Sequence, residues 1–300
     1  MSDIFAKILP IILIFILGVY LRKSKFASKE HADFLLKLNF YVALPSLVLL
    51  TLSRIKLETN LIFFPIIGVL TILTTFAVIS IFANKFKLPK TTLGVFIIGA
   101  MIINTGFTLP FLIAGFGDAG LIRKTVFDLG SDTMSYTLMY YLACKYGTGS
   151  QDPRLIMKKL ALSPVQMSFI IGLILNFTHI PLPAVVVNFL TPLSSFVSPA
   201  IMLSLGIYLA PQLKDLKLVM IPLFTRMLLG LFAGIILTSL FGLHGMNQAI
   251  GIVLCAAPVG YITLTLSAME NLDKEFAANL ISFSILIGLV STPLLIFLLR

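Results

Sequence analysis

Ten long apolar runs, separated by short polar connectors, constrain this chain more than any other feature: Ile4–Leu21, Phe34–Leu52, Leu61–Ala83, Thr92–Gly115, Thr125–Cys144, Pro164–Thr178, Val186–Leu209, Leu218–Phe241, Ala249–Met269 and Phe276–Leu299. About 20 apolar residues in a helix cross the hydrocarbon core of a bilayer. Charged residues make up only 11% of the 300, against about 25% in a soluble domain. So few charges cannot cover a water-facing surface, which excludes a soluble enzyme or a nucleic-acid binder. The sequence predicts an all-α polytopic membrane protein of ten transmembrane helices, with lipid as its surroundings. Pro164–Thr178 is the shortest of the runs.

The net charge of +10 sits in the connectors, where it reads as a topology signal. With the N-terminus outside, the inner connectors carry Arg22, Lys23, Lys25, Lys29, Lys85, Lys87, Lys90, Lys145, Arg154, Lys158, Lys159, Lys214, Lys217 and Lys274. The outer segments carry Lys7, Arg54, Lys56, Arg123, Lys124 and Arg300. Fourteen against six selects both termini outside an inner or plasma membrane. The first run has its charges after it and reads as a retained span rather than a signal peptide. Cys144 and Cys255 read as free thiols in apolar settings. The three histidines stand far apart, and no metal-ligand cluster or bound cofactor is expected.

A Gly-, Pro- and polar-rich connector lies midway, dividing the chain into 1–144, a cytoplasmic linker at 145–163, and 164–300. Pro45, Pro65 and Pro110 in spans two to four face Pro199, Pro222 and Pro258 in spans seven to nine. Five spans per half is an odd number, so the second half enters from the opposite side. The two halves then form an inverted repeat, a common plan of secondary transporters.

Span four contains Asn104-Thr105-Gly106-Phe107-Thr108-Leu109-Pro110, and span nine contains Ala256-Ala257-Pro258-Val259-Gly260. Asparagine is costly in hydrocarbon, glycine loosens a helix and proline lacks an N–H. Both segments predict helices broken at membrane depth, in matched places. Unwound backbone survives there only where protein or water satisfies it, so paired breaks point to a transport site. The competing reading is two ordinary proline kinks.

The span-four segment, followed by Gly115-Phe116-Gly117, resembles the motif of the auxin efflux carrier family. Ala256-Ala257-Pro258 with Glu270 and Asn271, and span ten with Asn279, Ser282 and Thr292-Pro293, resemble it as well. The likeness covers nearly the whole chain. Ile103 departs from the pattern, standing where plant members often carry proline, and Ser131 stands where asparagine is frequent. The resemblance implies ten spans, with broken helices four and nine crossing and a fold related to bile-acid symporters and sodium/proton antiporters. It implies a scaffold of spans one, two, six and seven, a mobile core of spans three to five and eight to ten, and a homodimer through the scaffold. It implies organic-anion substrates such as malate, malonate or indole-acetate.

Asp128 and Asp132 lie four residues apart in span five, on one helix face, near Thr125 and Ser135. Two such carboxylates do not both ionise easily in low dielectric, which suits a proton or sodium relay; a structural pair bonded to hydroxyls or to a basic partner is the alternative. Arg226 in span eight is a candidate charge partner for them, an attractor for an anion, or a snorkelling cation. Lys37 reads as snorkelling, and Glu270, Asp273 and Glu275 as solvated at an inner loop. Ser194, Ser195, Ser198 and Ser204 in span seven read as close-packing residues.

The expected function is therefore a carrier of small organic anions. The substrate carboxylate would be held at the crossing by Asn104, Thr105, Gly106, Pro110, Pro258, Val259 and Gly260, where half-helix N-termini favour anions. The alternative is a cation/proton antiporter that uses Asp128 and Asp132 as ion ligands. A membrane enzyme is disfavoured for want of a nucleophile–base or metal signature.

Overall fold

The computed structural model describes residues 2–54, 59–83, 85–147, 164–212 and 216–300. Most of the expected linker, residues 148–163, lies outside them, as do Arg154, Lys158, Lys159 and Lys214. The described residues form twelve helices. They are α1 (Ser2–Lys23), α2 (Lys29–Leu52), α3 (Thr59–Ala83), α4 (Lys90–Met101), α5 (Thr105–Phe116), α6 (118–146), α7 (Pro164–Phe177), α8 (Ala184–Tyr208), α9 (Leu216–Leu240), α10 (Gly245–Cys255), α11 (Ile262–Met269) and α12 (Lys274–Leu299). Five of them, α2, α3, α8, α9 and α12, are long and apolar enough to cross a membrane, and α4, α5 and α10 are shorter apolar helices. Among the described residues extended pairing is limited to one bridge, between Ile103 and Val259. The protein is thus an all-helical, multi-pass membrane protein.

Some helix boundaries have a clear local cause. α1 stops at Arg22-Lys23, and Lys25 takes a positive φ of 59°. α11 ends with Asn271 at φ 54° while the Leu272 N–H donates back to Ser267 O at 2.9 Å, a helix-ending turn that asparagine tolerates. α12 starts at Asp273, whose carboxylate accepts the Phe276 N–H at 2.9 Å and so caps the helix. Wider π turns interrupt α2 at Asn39–Ala43, α6 at Ser135–Met139 and α9 at Thr225–Leu229. Such turns concentrate at functional sites.

Two compact units interleave along the chain. The first gathers α1, α2, residues 109–125, α7 and α8. Within it α1 packs along α8, where a Cβ on Gly18 would sit 3.0 Å from the Gly206 Cα. Arg22 Nη1 donates to Ile207 O at 2.7 Å, the Tyr208 hydroxyl donates to Asp33, and Asn176 Nδ2 donates to Leu52 O at 2.8 Å. Residues 184–195 of α8 bury no side chain; Val185 and Phe189 are exposed. Apolar side chains facing outward suit lipid rather than water.

The second unit gathers α3, α4, the start of α5, α6 from Val126, and α9 to α12. Its core is built on α4 and α10, whose residues 94–101 and 249–255 are all buried. α3 approaches α6 closely, since a Cβ on Gly130 would meet the Pro65 backbone.

Several expectations need correction. Span five begins earlier than Thr125: α6 starts at Asp118, and Arg123 and Lys124 lie buried inside it rather than in an outer loop. Arg123 Nη1 donates to Ala119 O at 3.2 Å, one turn back on the same helix. Glu270 is not solvated but fully buried, because the turn at Asn271 folds it in and Gly147 packs on its backbone. Lys37 is exposed.

Candidate functional site

Two helices are interrupted within the second unit. α4 ends at Met101, with Ile102 extended at φ −75°, ψ 122°, and the chain re-enters helix at Thr105. α10 ends at Cys255 and the chain re-enters helix at Ile262. The interruptions meet: Ile103 and Val259 form an antiparallel bridge. The Asn104 N–H donates to Pro258 O at 2.9 Å, and the Gly260 N–H donates to Ile102 O at 3.0 Å. Ile102 and Val259 are fully buried, so each break supplies the partners the other lacks. Gly260 is required by this approach. A Cβ there would fall 2.5 Å from Ile102 Cγ2 and 3.0 Å from Ile103 O.

Asn104 fastens the arrangement. Its Nδ2 donates to Val259 O at 3.2 Å, and its Oδ1 accepts the Phe107 N–H at 3.1 Å, capping α5. The Val259 N–H donates to Ser284 Oγ at 3.2 Å, and Ser284 in turn donates to Ile281 O at 2.8 Å. The backbone donors of Asn104, Val259 and Gly260 are therefore engaged by protein, contrary to the expectation that they present themselves to a ligand. The donors that helix geometry leaves without an acceptor are the first N–H groups of α5 and α11. Thr105 and Gly106 open α5, and Tyr261 and Ile262 open α11. There is room beside them: a Cβ on Gly106 would meet only Asn104 Oδ1, at 3.7 Å, and Tyr261 is 42% exposed.

Pro258 lies in the second break and its carbonyl serves the bridge. Pro110 does not make the first break. It sits inside α5, five residues past the helix start. The bridge and the Asn104 cap set the break instead, and Pro110 only removes one later helical donor.

Asp128 and Asp132 share a face of α6 and are half-buried. Tyr261 lies within electrostatic range of both, which brings them toward the start of α11. The neighbouring hydroxyls do not serve them as donors: Thr125 Oγ1 donates to Leu121 O at 2.8 Å and Ser135 Oγ to Ser131 O at 2.9 Å. Each hydroxyl has one hydrogen, and it is used. Arg226 lies in the π turn of α9 and is fully buried, so it does not snorkel; its Nη2 donates to the Cys255 carbonyl.

Sequence reasoning missed two members of this region, Ser284 and Tyr261, and misplaced a third, Glu270. Ser284 is an ordinary serine in an apolar helix, and nothing in the sequence distinguishes it from other serines in the spans. Tyr261 follows the span-nine motif directly. Glu270 faces Tyr140 and Cys144 of α6. Span ten also contributes away from the bridge. Asn279 Oδ1 accepts the Gln212 N–H at 2.8 Å and Ser282 Oγ accepts the Ala210 N–H at 3.3 Å. Beside them a cavity of about 270 Å³ is lined by Thr92, Gln212, Asp273 and Asn279 among others. Thr92 donates to Asp273 there at 2.8 Å.

The model of a family described as membrane transport protein matches residues 3–296. An uncharacterized transporter of Methanocaldococcus jannaschii is 28% identical over 300 residues, covering 93% of this chain and 95% of its own. Another, from Methanothermobacter thermautotrophicus, is 26% identical over 301 residues, covering 96% of this chain and 95% of its own.

Proposed function

We propose a function from one premise: the chain belongs to the membrane transport protein family, the affiliation that the auxin-efflux-carrier motifs pointed to. It is accordingly a membrane transporter and not an enzyme. The finer reading is a secondary carrier of small organic anions, such as dicarboxylates, that works by alternating access. Ten spans are counted if α4 with α5, and α10 with α11, each make one broken span. The two five-span halves then run inverted to one another.

The observation that carries this reading is the bridge between the two breaks. Two half-helix N-termini, α5 and α11, open from the bridged segments, with room beside Gly106 and beside Tyr261. Helix N-termini attract anions through free N–H groups and the helix dipole. A carboxylate would accept from the Thr105 and Gly106 N–H groups and from the second Nδ2 hydrogen of Asn104. The separation into a scaffold and a mobile core is supported by the two compact units. They divide the helices as spans one, two, six and seven against the rest, except that residues 109–125 fall with the first group.

A second reading, cation/proton antiport, is favoured by the position of Asp128 and Asp132 near Tyr261. Uptake into sealed vesicles separates the two. Radiolabelled malate accumulating under an imposed proton or sodium gradient, with no sodium or lithium exchange in malate-free buffer, supports the carrier. Sodium/proton exchange without malate, and no malate flux, refutes it.

A further inference from the structure

The second unit contains a buried cation with no acidic partner among the described residues. Arg226 is 0% exposed, and a guanidinium stays charged under any ordinary condition. Its Nη2 donates to the carbonyl oxygen of Cys255, while Nε and Nη1 are buried and make no hydrogen bond among the described residues. An ionised group so deep is costly unless something offsets it.

The offset is the end of a helix. Cys255 is the last residue of α10, and the last carbonyls of a helix carry about half a negative charge between them. Its own helix helps Arg226 reach this end. The π turn Thr225–Leu229 carries Arg226, and Gly230 follows it, where a Cβ would overlap the Cys255 carbonyl and the Arg226 Nη2. The break that begins at Ala256 is thus flanked on its α10 side by a permanent positive charge.

A broken helix presents two opposite ends, a negative one that draws cations and a positive one that draws anions. Here the negative end of α10 is already occupied by the chain itself. We propose that Arg226 is the resident cation of the crossing: it fills the place a metal cation would take at the end of α10, so that the site accepts an anion without requiring sodium. The anion part of this inference rests on the carrier reading above; the cation part does not.

The test therefore starts without any organic anion. The chain has no tryptophan, so unfolding of detergent-purified protein is followed by circular dichroism, in sodium, lithium or choline chloride at equal concentration. Wild type and Arg226→Lys are expected to melt at the same temperature in all three. Arg226→Gln removes the charge, and Gly230→Ala keeps it but displaces it from the carbonyl. Both should melt lower in choline and regain roughly 3–6 °C in sodium or lithium, at a cation concentration about tenfold above its dissociation constant. A merely structural arginine would lower the midpoint equally in every salt, and that result overturns the proposal. So does a wild-type midpoint that rises in sodium over choline, an outcome that decides the matter even if neither variant folds. Malate binding is then measured in the same salts. Sodium-independent binding by wild type supports the anion part. Absence of malate binding in every salt counts against the carrier reading and leaves the cation result standing.

Discussion

Replacing Asn104 by alanine tests the crossing most directly. The substitution removes two buried hydrogen bonds, to Val259 O at 3.2 Å and from the Phe107 N–H at 3.1 Å. Each neutral bond contributes about 0.5–1.5 kcal/mol net, and loss of an N-cap alone typically costs about 1 kcal/mol. Val259 and Phe107 are both fully buried, so water does not replace the lost partner and the cost lies toward the upper end. Together these give a destabilisation of about 2–3 kcal/mol. Asn104→Asp separates the parts, because its carboxylate keeps the cap acceptor and loses the amide donor to Val259. The assay pairs a thermal or denaturant midpoint in detergent with equilibrium binding of radiolabelled malate to the same preparation. Asn104→Ala should lower the midpoint and weaken malate binding by about 10-fold or more, as expected if one charge-assisted bond of roughly 1.5–3 kcal/mol is lost. Asn104→Asp should recover part of the stability but not the affinity, since it sets a negative charge against an anion. An unchanged midpoint for Asn104→Ala would refute the clamp. An unchanged malate affinity would move the substrate away from the crossing.

Other perturbations check neighbouring parts. Ser284→Ala leaves the buried Val259 N–H without its acceptor and should cost about 1–3 kcal/mol, read as a lower midpoint, whereas Ser284→Thr should keep most of the stability. Pro258→Ala should slow malate turnover in vesicles as well as weaken binding, by letting α10 and α11 wind together; wild-type turnover would show that the bridge, not the proline, holds the break. Asp128→Asn or Asp132→Asn should abolish the pH dependence of transport while the protein still folds; a variant with an unchanged pH profile and rate is a structural member only. A single cysteine at position 150, in a background lacking Cys144 and Cys255, should react with impermeant reagents only from the inner side, and labelling from outside sealed cells would reverse the topology.

The helical, membrane-spanning character was legible in the apolar runs, because bilayer thickness fixes their length. The second break was legible as well: Pro258 and Gly260 are the residues that form it. The first was located to the right segment for partly the wrong reason. Pro110 carries the louder signal, yet Asn104 makes the break through a contact with Val259, 155 residues away, and long-range pairing leaves no local trace. Depth along a span is readable in the sequence but direction around it is not. Arg226 looked as free to reach the headgroups as to turn inward, and only packing against α10 decides between them. Glu270 resembled its exposed neighbour Glu275 until the turn at Asn271 folded it beneath the end of α6.

The bridge between Ile103 and Val259 has a mechanical consequence. Helices slide past one another through side chains that can re-pack. Two backbone hydrogen bonds, at 2.9 and 3.0 Å, tie the interrupted strands directly and do not tolerate slippage by a fraction of a residue. The four half-helices α4, α5, α10 and α11 are therefore pinned at one point, like two rods through a shared pivot. If this region moves, the two bridged breaks move together, and the bending has to take place in the connections that lead into them.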